Sequence, residues 1–369
     1  MFHRRGLRFM LAFGFMALLS GGAFSGAGVA CPFCVPMERM VDKVRKAPVV
    51  LYGSLSNPRR NLDPQPGEPN GTTDMKVVKR IKSHPLADKK TELKLSRYIP
   101  TAEETKTNWI VFADIIDDQI QPFLAMPNDP EGVYDYLQGA LDRQDKPPVD
   151  RLAYAFKYFD HAIDEVSMDA YLEFAQAPYA DVVAAKKAYD PEKIMKWLSD
   201  KNTKTYLVGL LGLMVGVCGR PQDAPVLKQF IDDPEKRPIV GVDGVMAGYC
   251  LIDLKKGSEH VMGIITDKNQ DFNLRYSAKR ALDFLLTDVV GFDKKWALGE
   301  LAKSIAFDDF ADIAIDELRK QQSWQYLDRV LKTYDDPKSK DNPLIRRAAI
   351  CFALKAPGDA AKAFIEKVR

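Results

Sequence analysis

The first third of the chain, up to about residue 127, carries short apolar runs and alternating apolar and polar positions. Alternation with a period of two is typical of half-buried β-strands, because successive side chains of a strand point to opposite faces. Proline, glycine and asparagine interrupt the pattern at 57–71, where we expect a loop. The pattern predicts a leading helix at 36–46 and then five short strands, at 49–55, 72–81, 91–95, 109–113 and 120–124.

From Gly132 to the C-terminus the apolar positions recur every three or four residues, which is the period of an amphipathic helix. A repeat is visible within this part. Segments 214–218 and 246–250 share the pattern Met-x-Gly-x-Cys at an offset of 32 residues. Repeats of about 30 to 45 residues with two helices each are typical of an α-solenoid, since one helix pair cannot bury its own apolar face.

The first thirty residues have the order of a secretory signal peptide. Three arginines precede an apolar run at 9–19, and small residues then lead to Ala30. The run is about half as long as a membrane-spanning helix requires, and no later segment reaches that length without charges. We therefore predict a signal peptide at 1–30, cleavage after Ala30, no transmembrane span, and an exported protein of the periplasm, cell envelope or extracellular space.

These patterns together predict an α+β fold that is mostly α. The signal peptide at 1–30 is followed by a small β-rich domain at 31–127, which we expect to be an OB-like barrel or a sandwich. A helical repeat domain, which we expect to be a HEAT-like α-solenoid, then fills 132–369.

Charge is distributed unevenly after the leader. Residues 31–116 hold 15 Lys/Arg and 10 Asp/Glu, whereas residues 117–369 hold 35 and 41. The basic residues of the first segment alternate with apolar ones, as on the solvated face of a sheet. This asymmetry favours a division into two domains over a nucleic-acid partner, and we expect no nucleic-acid binding.

Cys31 and Cys34 are the candidate functional pair, and several interpretations stay open. They could form a local disulfide that staples the mature N-terminus, or a thiol–disulfide active site whose thiolate is activated at the start of the following helix. They could instead handle a metal ion, or Cys31 could be lipidated and anchor the protein to a membrane, because Gly-Val-Ala-Cys at 28–31 loosely resembles a lipobox. Covalent haem attachment is excluded, because Val35 stands where a histidine is required.

No other chemistry-bearing motif emerges. A zinc site usually needs two close pairs of ligands, and the chain has one, so we expect no metal and no cofactor. Neither a phosphate-binding glycine loop nor a nucleophile elbow is present. Asp308 and Asp309 are expected to cap a helix or face water, and Cys218 and Cys250 to be free thiols in small-residue slots of adjacent repeats. We therefore assign no catalytic residue.

The N-terminal segment resembles the netrin-like and tissue-inhibitor-type OB barrels. The resemblance rests on cysteines at the mature N-terminus, a short helix, the strand Val-Val-Leu-Tyr-Gly at 49–53 and later strands at 73–81 and 109–112. It implies a five-stranded barrel. The spacing here is Cys-x-x-Cys where those families have Cys-x-Cys, so protease inhibition is not carried over.

The helical part resembles HEAT-like repeats from about residue 201 to the end. The chain as a whole is similar to a family of uncharacterised secreted proteins of planctomycetes, through Cys-Pro-Phe-Cys at 31–34 and further matching segments at 51–57, 97–100, 241–249 and 345–348. This resemblance implies export and brings no activity with it.

The absence of a catalytic constellation and the extended helical surface favour a non-enzymatic binding or scaffold protein of the cell envelope. Its partner is then another envelope or extracellular protein. The alternative is an exported thiol–disulfide or metal-handling protein that uses Cys31 and Cys34.

Overall fold

The computed structural model describes residues 37–66, 68–101, 107–128, 132–337, 339 and 341–369. Within them the chain is mostly helical and contains a small antiparallel five-stranded sheet, as the sequence predicts. A first helix, α1 (Met40–Lys46), leads into the sheet. Its strands are β1 (Val49–Arg60), β2 (Gly71–Lys82), β3 (Glu92–Leu95), β4 (Asn108–Ile116) and β5 (Gln119–Pro127).

The sheet has the strand order β3-β2-β1-β4-β5, and every neighbouring pair is antiparallel. Its two outer strands also meet. Ser96, directly after β3, donates its N–H to the Ile120 carbonyl of β5 at 2.9 Å, and its hydroxyl lies 2.6 Å from Gln119 Oε1. Cross-strand register places Asp74 opposite Lys94 and Lys76 opposite Glu92, so opposite charges face each other on the solvated side.

Two elements of the first segment differ from the expectation. Strand β1 continues to Arg60, although Asn57 and Pro58 favour a loop. Pro58 is tolerated because the register of β1 against β2 shifts between Ser56 and Arg59, where no N–H is needed for the ladder. The leading helix begins at Met40 rather than at residue 36, and Arg39 before it is extended.

The remaining helices follow in chain order. They are α2 (Val133–Leu141), α3 (Pro148–Ala155), α4 (Asp164–Ala175), α5 (Tyr179–Ala184), α6 (Pro191–Ser199), α7 (Thr205–Cys218), α8 (Ala224–Asp232), α9 (Val242–Ile252), α10 (Leu254–Thr266), α11 (Phe272–Asp288), α12 (Lys294–Leu301), α13 (Ala311–Lys320), α14 (Leu327–Asp335), α15 (Pro343–Lys355) and α16 (Asp359–Val368).

Helix α9 runs parallel to α7, and α13 runs parallel to α11. Helix α9 lies against α7 with Gly244 at Gly209 and Gly248 at Gly212, and a Cβ atom at either α9 glycine would overlap a backbone carbonyl of α7. The backbones of α7 and α9 are therefore in direct contact. The repeated segments 214–218 and 246–250 meet in this contact, where Gly216 packs on Gly248.

Side chains bridge the next pair of parallel helices, α11 and α13. The ring centroids of Phe272 and Phe310 are 6.2 Å apart, and Lys279 Nζ lies 3.0 Å from Glu317 Oε2 further along both helices. Helices α8, α10, α14 and α16 return between these units and pack on α9, α11 and α15.

The two faces of the sheet belong to different cores. Successive residues of β1 alternate between them: Val49 and Leu51 are buried in a core enclosed by the sheet, while Val50 and Tyr52 pack against the helices. The second core continues through Val133 and the rest of the helical array. The sheet and the helices therefore share one hydrophobic core where they meet.

Candidate functional site

Helix α4 presents three polar side chains on one face, spaced at i, i+4 and i+7. Asp169, Glu173 and Gln176 all reach the segment around α1, more than 120 residues earlier in the chain. Gln176 donates its side-chain N–H to the Met37 carbonyl at 2.7 Å, and Asp169 accepts the Met40 backbone N–H at 2.5 Å. These contacts anchor the chain to α4 on both sides of the extended Arg39, directly where α1 begins.

Asp169 is 5% exposed and accepts a second hydrogen bond, from the Tyr136 hydroxyl at 2.8 Å. Burial raises the pKa of its carboxyl group to about 6, against the two hydrogen bonds and the attraction of Lys43, which act in the opposite direction. The folded protein therefore binds more protons than the unfolded chain between the ordinary aspartate pKa, near 4, and about pH 6.

Replacing Asp169 with asparagine should change the pH dependence of stability in a defined direction. In the wild type the Asp169 contribution to the free energy of unfolding falls as pH rises from about 4 to 6, by about 2–3 kcal/mol. Asp169→Asn removes this contribution, so the variant should gain stability relative to the wild type as pH rises through that window. Urea unfolding across the window measures the difference, and a difference that stays constant with pH would contradict the assignment.

Glu173 links α1 to α3. Its two carboxylate oxygens accept from Arg39 Nη1 at 2.8 Å and from Arg151 Nε at 2.7 Å. Arg39 also contacts Asp42 through Nε at 2.8 Å. The result is a partly buried chain of alternating charges that runs from α1 across α4 to α3.

A cavity of about 120 Å³ lies beside this chain of charges, enclosed by α1, α2, α3 and α4. Four arginines, Arg39, Arg45, Arg143 and Arg151, line it together with Asp169 and Glu173. Its aromatic and small apolar lining residues include Tyr136, Tyr154, Ala140 and Ala155. We refer to this cavity as the arginine cavity.

Tyr154 is fixed across α2 at the mouth of the cavity. Its hydroxyl donates to the Tyr136 carbonyl at 2.9 Å, and Arg143 lies over its ring at 4.4 Å from the centroid. Gly139 makes this approach possible, because a Cβ atom there would overlap the Tyr154 hydroxyl. The sheet also contributes to the site: Lys82 of β2 donates to the Val44 and Arg45 carbonyls at the C-terminal end of α1, at 3.2 and 2.6 Å.

A second polar region lies where α11 meets α13. Arg275 is fully buried, lies between the rings of Phe307 and Phe310 at 5.2 and 4.5 Å from their centroids, and pairs with Asp309 at 2.7 Å. Asn342, directly before α15, donates to the Asp308 carbonyl at 3.4 Å. Aspartates and exposed apolar side chains thus share one end of α11, α13 and α15; we call Asp271, Phe272, Tyr276, Asp308, Asp309 and Leu344 the acidic edge.

Three ionisable side chains meet where α11 packs near α13: Lys279 and Glu317 are buried, and Asp283 is half-buried. Lys279 lies 2.7 Å from Asp283 and 3.0 Å from Glu317, and Glu317 is only 3% exposed. Burial raises the pKa of Asp283 to about 6 despite the nearby ammonium group. Burial also acts to raise the pKa of Glu317, but Lys279 and hydrogen bonds outweigh it, and that pKa lies below its usual value.

Cys31 and Cys34 lie outside the described residues, so their pairing stays a prediction. The thiol–disulfide alternative likewise stays a prediction, and α1, the first helix of the described residues, begins at Met40. Cys218, Cys250 and Cys351 are free thiols. Cys250 is buried, as expected for a small-residue slot, and burial raises its thiol pKa well above the usual value, whereas Cys218 is only half-buried.

The arginine cavity is absent from the sequence-based interpretation. The sequence does indicate the part of the site that α4 contributes. Asp169, Glu173 and Gln176 form a polar i, i+4, i+7 series, and the positions between them are largely apolar. The pairing of the buried Arg275 with Asp309 has no comparable signal in the sequence. Asp308 and Asp309 resemble capping residues there, and Asp309 is 56% exposed in the structure.

Among the described residues, no group of three or more His, Cys, Asp or Glu side chains is placed to hold a metal ion. In the same part of the chain, no helix combines the length and apolar character needed to span a membrane.

Comparison with known proteins leaves the family open. No family model matches the chain, and no curated protein does. A solved structure of human deoxyhypusine hydroxylase in complex with glycerol is 12% identical to the chain, over 64% of this chain and 84% of its own, with a TM-score of 0.26. At that TM-score the likeness carries no argument about fold or function.

Proposed function

We propose that this chain is an exported, non-enzymatic binding protein of the cell envelope, with an OB-like N-terminal domain and a HEAT-like solenoid. The strand order β3-β2-β1-β4-β5 and the hydrogen bond between the Ser96 region and β5 support the OB-like assignment. The parallel packing of α7 with α9 and of α11 with α13, together with the packing of α8 and α10 on α9, supports the solenoid.

The observation that carries the binding function is the acidic edge. Phe272, Tyr276 and Leu344 are 43%, 44% and 58% exposed, although each is a large apolar or aromatic side chain. Exposed apolar groups rimmed by polar ones are typical of surfaces that bind other proteins. Aromatic side chains in particular are enriched at interfaces, where they supply contact area at little entropic cost.

The charge of the edge defines the partner's chemistry. Asp271, Asp308 and Asp309 lie at the same helix ends as the apolar side chains, and Arg275 of α11 is buried and already paired with Asp309. A partner segment that combines lysine or arginine with apolar side chains matches this surface in both respects. The acidic edge is therefore proposed to bind a basic, apolar segment of another exported protein.

Defined peptides test this proposal. We expect a fluorescently labelled peptide of alternating lysine and leucine to bind the purified protein at low ionic strength, and the same peptide with glutamate in place of lysine not to bind. Tyr276→Ser and Asp308→Asn should each weaken binding about fivefold or more, since central interface side chains each contribute about 1 kcal/mol or more.

Two matched variants control for non-specific effects. Val78→Ser removes an apolar side chain of similar exposure from the sheet, and Asp359→Asn removes an exposed carboxylate from the first turn of α16. Both should bind the lysine peptide like the wild type. Equal weakening in edge and control variants, or equal binding of the two peptides, would rule out the acidic edge as the docking surface.

The exported location and the state of the cysteine pair need a separate measurement. Mass spectrometry of the protein from a fractionated host should give a mature chain that begins at Cys31, with Cys31 and Cys34 joined in an unreactive disulfide. A lipid mass on Cys31 would establish membrane anchoring instead. A thiol pair that exchanges readily with a redox buffer would replace the non-enzymatic proposal with the thiol–disulfide alternative.

A further inference from the structure

Four arginines converge on the arginine cavity, and internal ion pairs occupy only some of their donors. Arg39 is fully engaged by Asp42 and Glu173. Arg143 donates one Nη1 hydrogen to the Gly139 carbonyl and has no carboxylate within ion-pairing distance among the described residues. Arg151 uses Nε for Glu173 and Nη1 for the Gln144 and Lys146 carbonyls, both at 3.4 Å, which leaves its Nη2 hydrogens. Arg45 contacts Asp42 through a single Nη1 at 3.3 Å. Guanidinium hydrogens on Arg45, Arg143 and Arg151 thus remain available at the cavity.

The charge balance of the cavity favours an anion. Its lining residues include four arginines and two acidic residues, Asp169 and Glu173, and one further carboxylate, Asp42, pairs with Arg39. The net charge of the four arginines and these three acidic residues is positive even when all three carboxyl groups are ionised. Because the cavity is half-enclosed by four helices, solvent screens this charge less than it would on an open surface.

The shape of the cavity limits the size of the occupant. A volume of about 120 Å³ suits a compact ion with a few heavy atoms better than a nucleotide or a peptide segment. Guanidinium groups bind carboxylate and phosphate oxygens through paired, charge-assisted hydrogen bonds. The Tyr154 ring and the Ala140 methyl group offer apolar contact to a short carbon skeleton.

We propose that the arginine cavity binds a small oxyanion, the carboxylate or phosphate group of a compact acid, with Arg143 as its principal ligand. This site is separate from the acidic edge and independent of it. Binding joins α1 to α2 and α3, because Arg45 comes from α1, Arg143 follows α2 and Arg151 lies in α3.

Isothermal titration calorimetry of the full mature chain tests the proposal, with sodium malonate and sodium phosphate as probes and chloride balancing the ionic strength. We expect saturable one-site binding of at least one probe, and the probe that binds identifies the oxyanion as carboxylate or phosphate. Arg143→Gln should weaken binding about tenfold or more, the loss expected for one charge-assisted contact.

Two further variants keep the result interpretable. Ala140→Leu fills the cavity without changing its charge and should also weaken binding about tenfold or more, so the test survives even if Arg143→Gln fails to fold. Lys157→Gln removes an exposed positive charge that does not line the cavity, and it should bind within about twofold of the wild type. No saturable binding of either probe, or equal losses in Lys157→Gln and Arg143→Gln, would overturn the proposal.

Discussion

Replacing Gly248 by alanine should destabilise the protein by at least about 3 kcal/mol and lower its melting temperature by about 4 °C or more. The added Cβ atom would overlap the Gly212 carbonyl oxygen, which belongs to the backbone of α7 and cannot rotate away. Helices α7 and α9 would have to separate, and the buried side chains on both flanks would lose contact. Intrinsic helix propensity favours alanine over glycine by about 1 kcal/mol, so propensity alone predicts the opposite sign.

Gly263→Ala is the matched control for this substitution. Gly263 lies in α10, and a Cβ atom there would meet nothing within 4 Å. The same chemical change should therefore stabilise the protein by about 0.5–1 kcal/mol. Thermal and urea unfolding of both variants measure the contrast. A Gly248→Ala variant as stable as Gly263→Ala would show that α7 and α9 are not in backbone contact.

Replacing Lys279 by methionine should cost about 3–5 kcal/mol near neutral pH. The substitution leaves Asp283 and Glu317 close together between α11 and α13 without the ammonium group that contacts both. The buried Glu317 and the half-buried Asp283 then repel each other, which raises their pKa values in the folded state. The folded variant then binds more protons than the unfolded chain, so its stability should rise relative to the wild type as pH falls from neutral towards about 4.

Lys256→Met is the matched control for Lys279→Met. Lys256 is in α10, is 77% exposed and pairs with Asp253 only on the surface, so its replacement should change stability by less than about 0.5 kcal/mol at any pH. Urea unfolding at neutral and mildly acidic pH compares the two variants. A loss in Lys279→Met that does not shrink on acidification would contradict the assignment of the two carboxylates as its cause.

Local periodicity was enough to predict the elements of the fold. The alternation in β1 separates Val49 and Leu51 from Val50 and Tyr52, and these pairs do face different cores. The repeat at 214–218 and 246–250 anticipates the contact of Gly216 with Gly248, because equivalent positions of parallel neighbouring helices meet. Strand β1 extends to Arg60, beyond its predicted end at residue 55, because its pairing with β2 shifts register around Pro58 and accommodates the proline.

The polar sites could not be predicted in the same way, because their members are far apart in the chain. Asp169 and Glu173 are recognisable as polar positions on α4, but nothing local shows that Met40 and Arg39 are their partners. The sequence around Arg275 does not indicate that this side chain is fully buried between two phenylalanine rings. Such contacts depend on how the elements pack, and the period of a pattern carries no information about them.

The unequal contacts along the helical array have a mechanical consequence. Where α7 meets α9, backbone touches backbone, and no layer of side chains exists that could slide or change rotamer. Between α11 and α13 the contact is made by long side chains such as Lys279 and Glu317, which can reorient while the helices shift. We expect elastic bending of the array to concentrate at this second joint. The acidic edge includes residues on both sides of the contact between α11 and α13, from Phe272 to Asp308. A partner bound there would restrict the movement of these two helices and reduce the bending of the array.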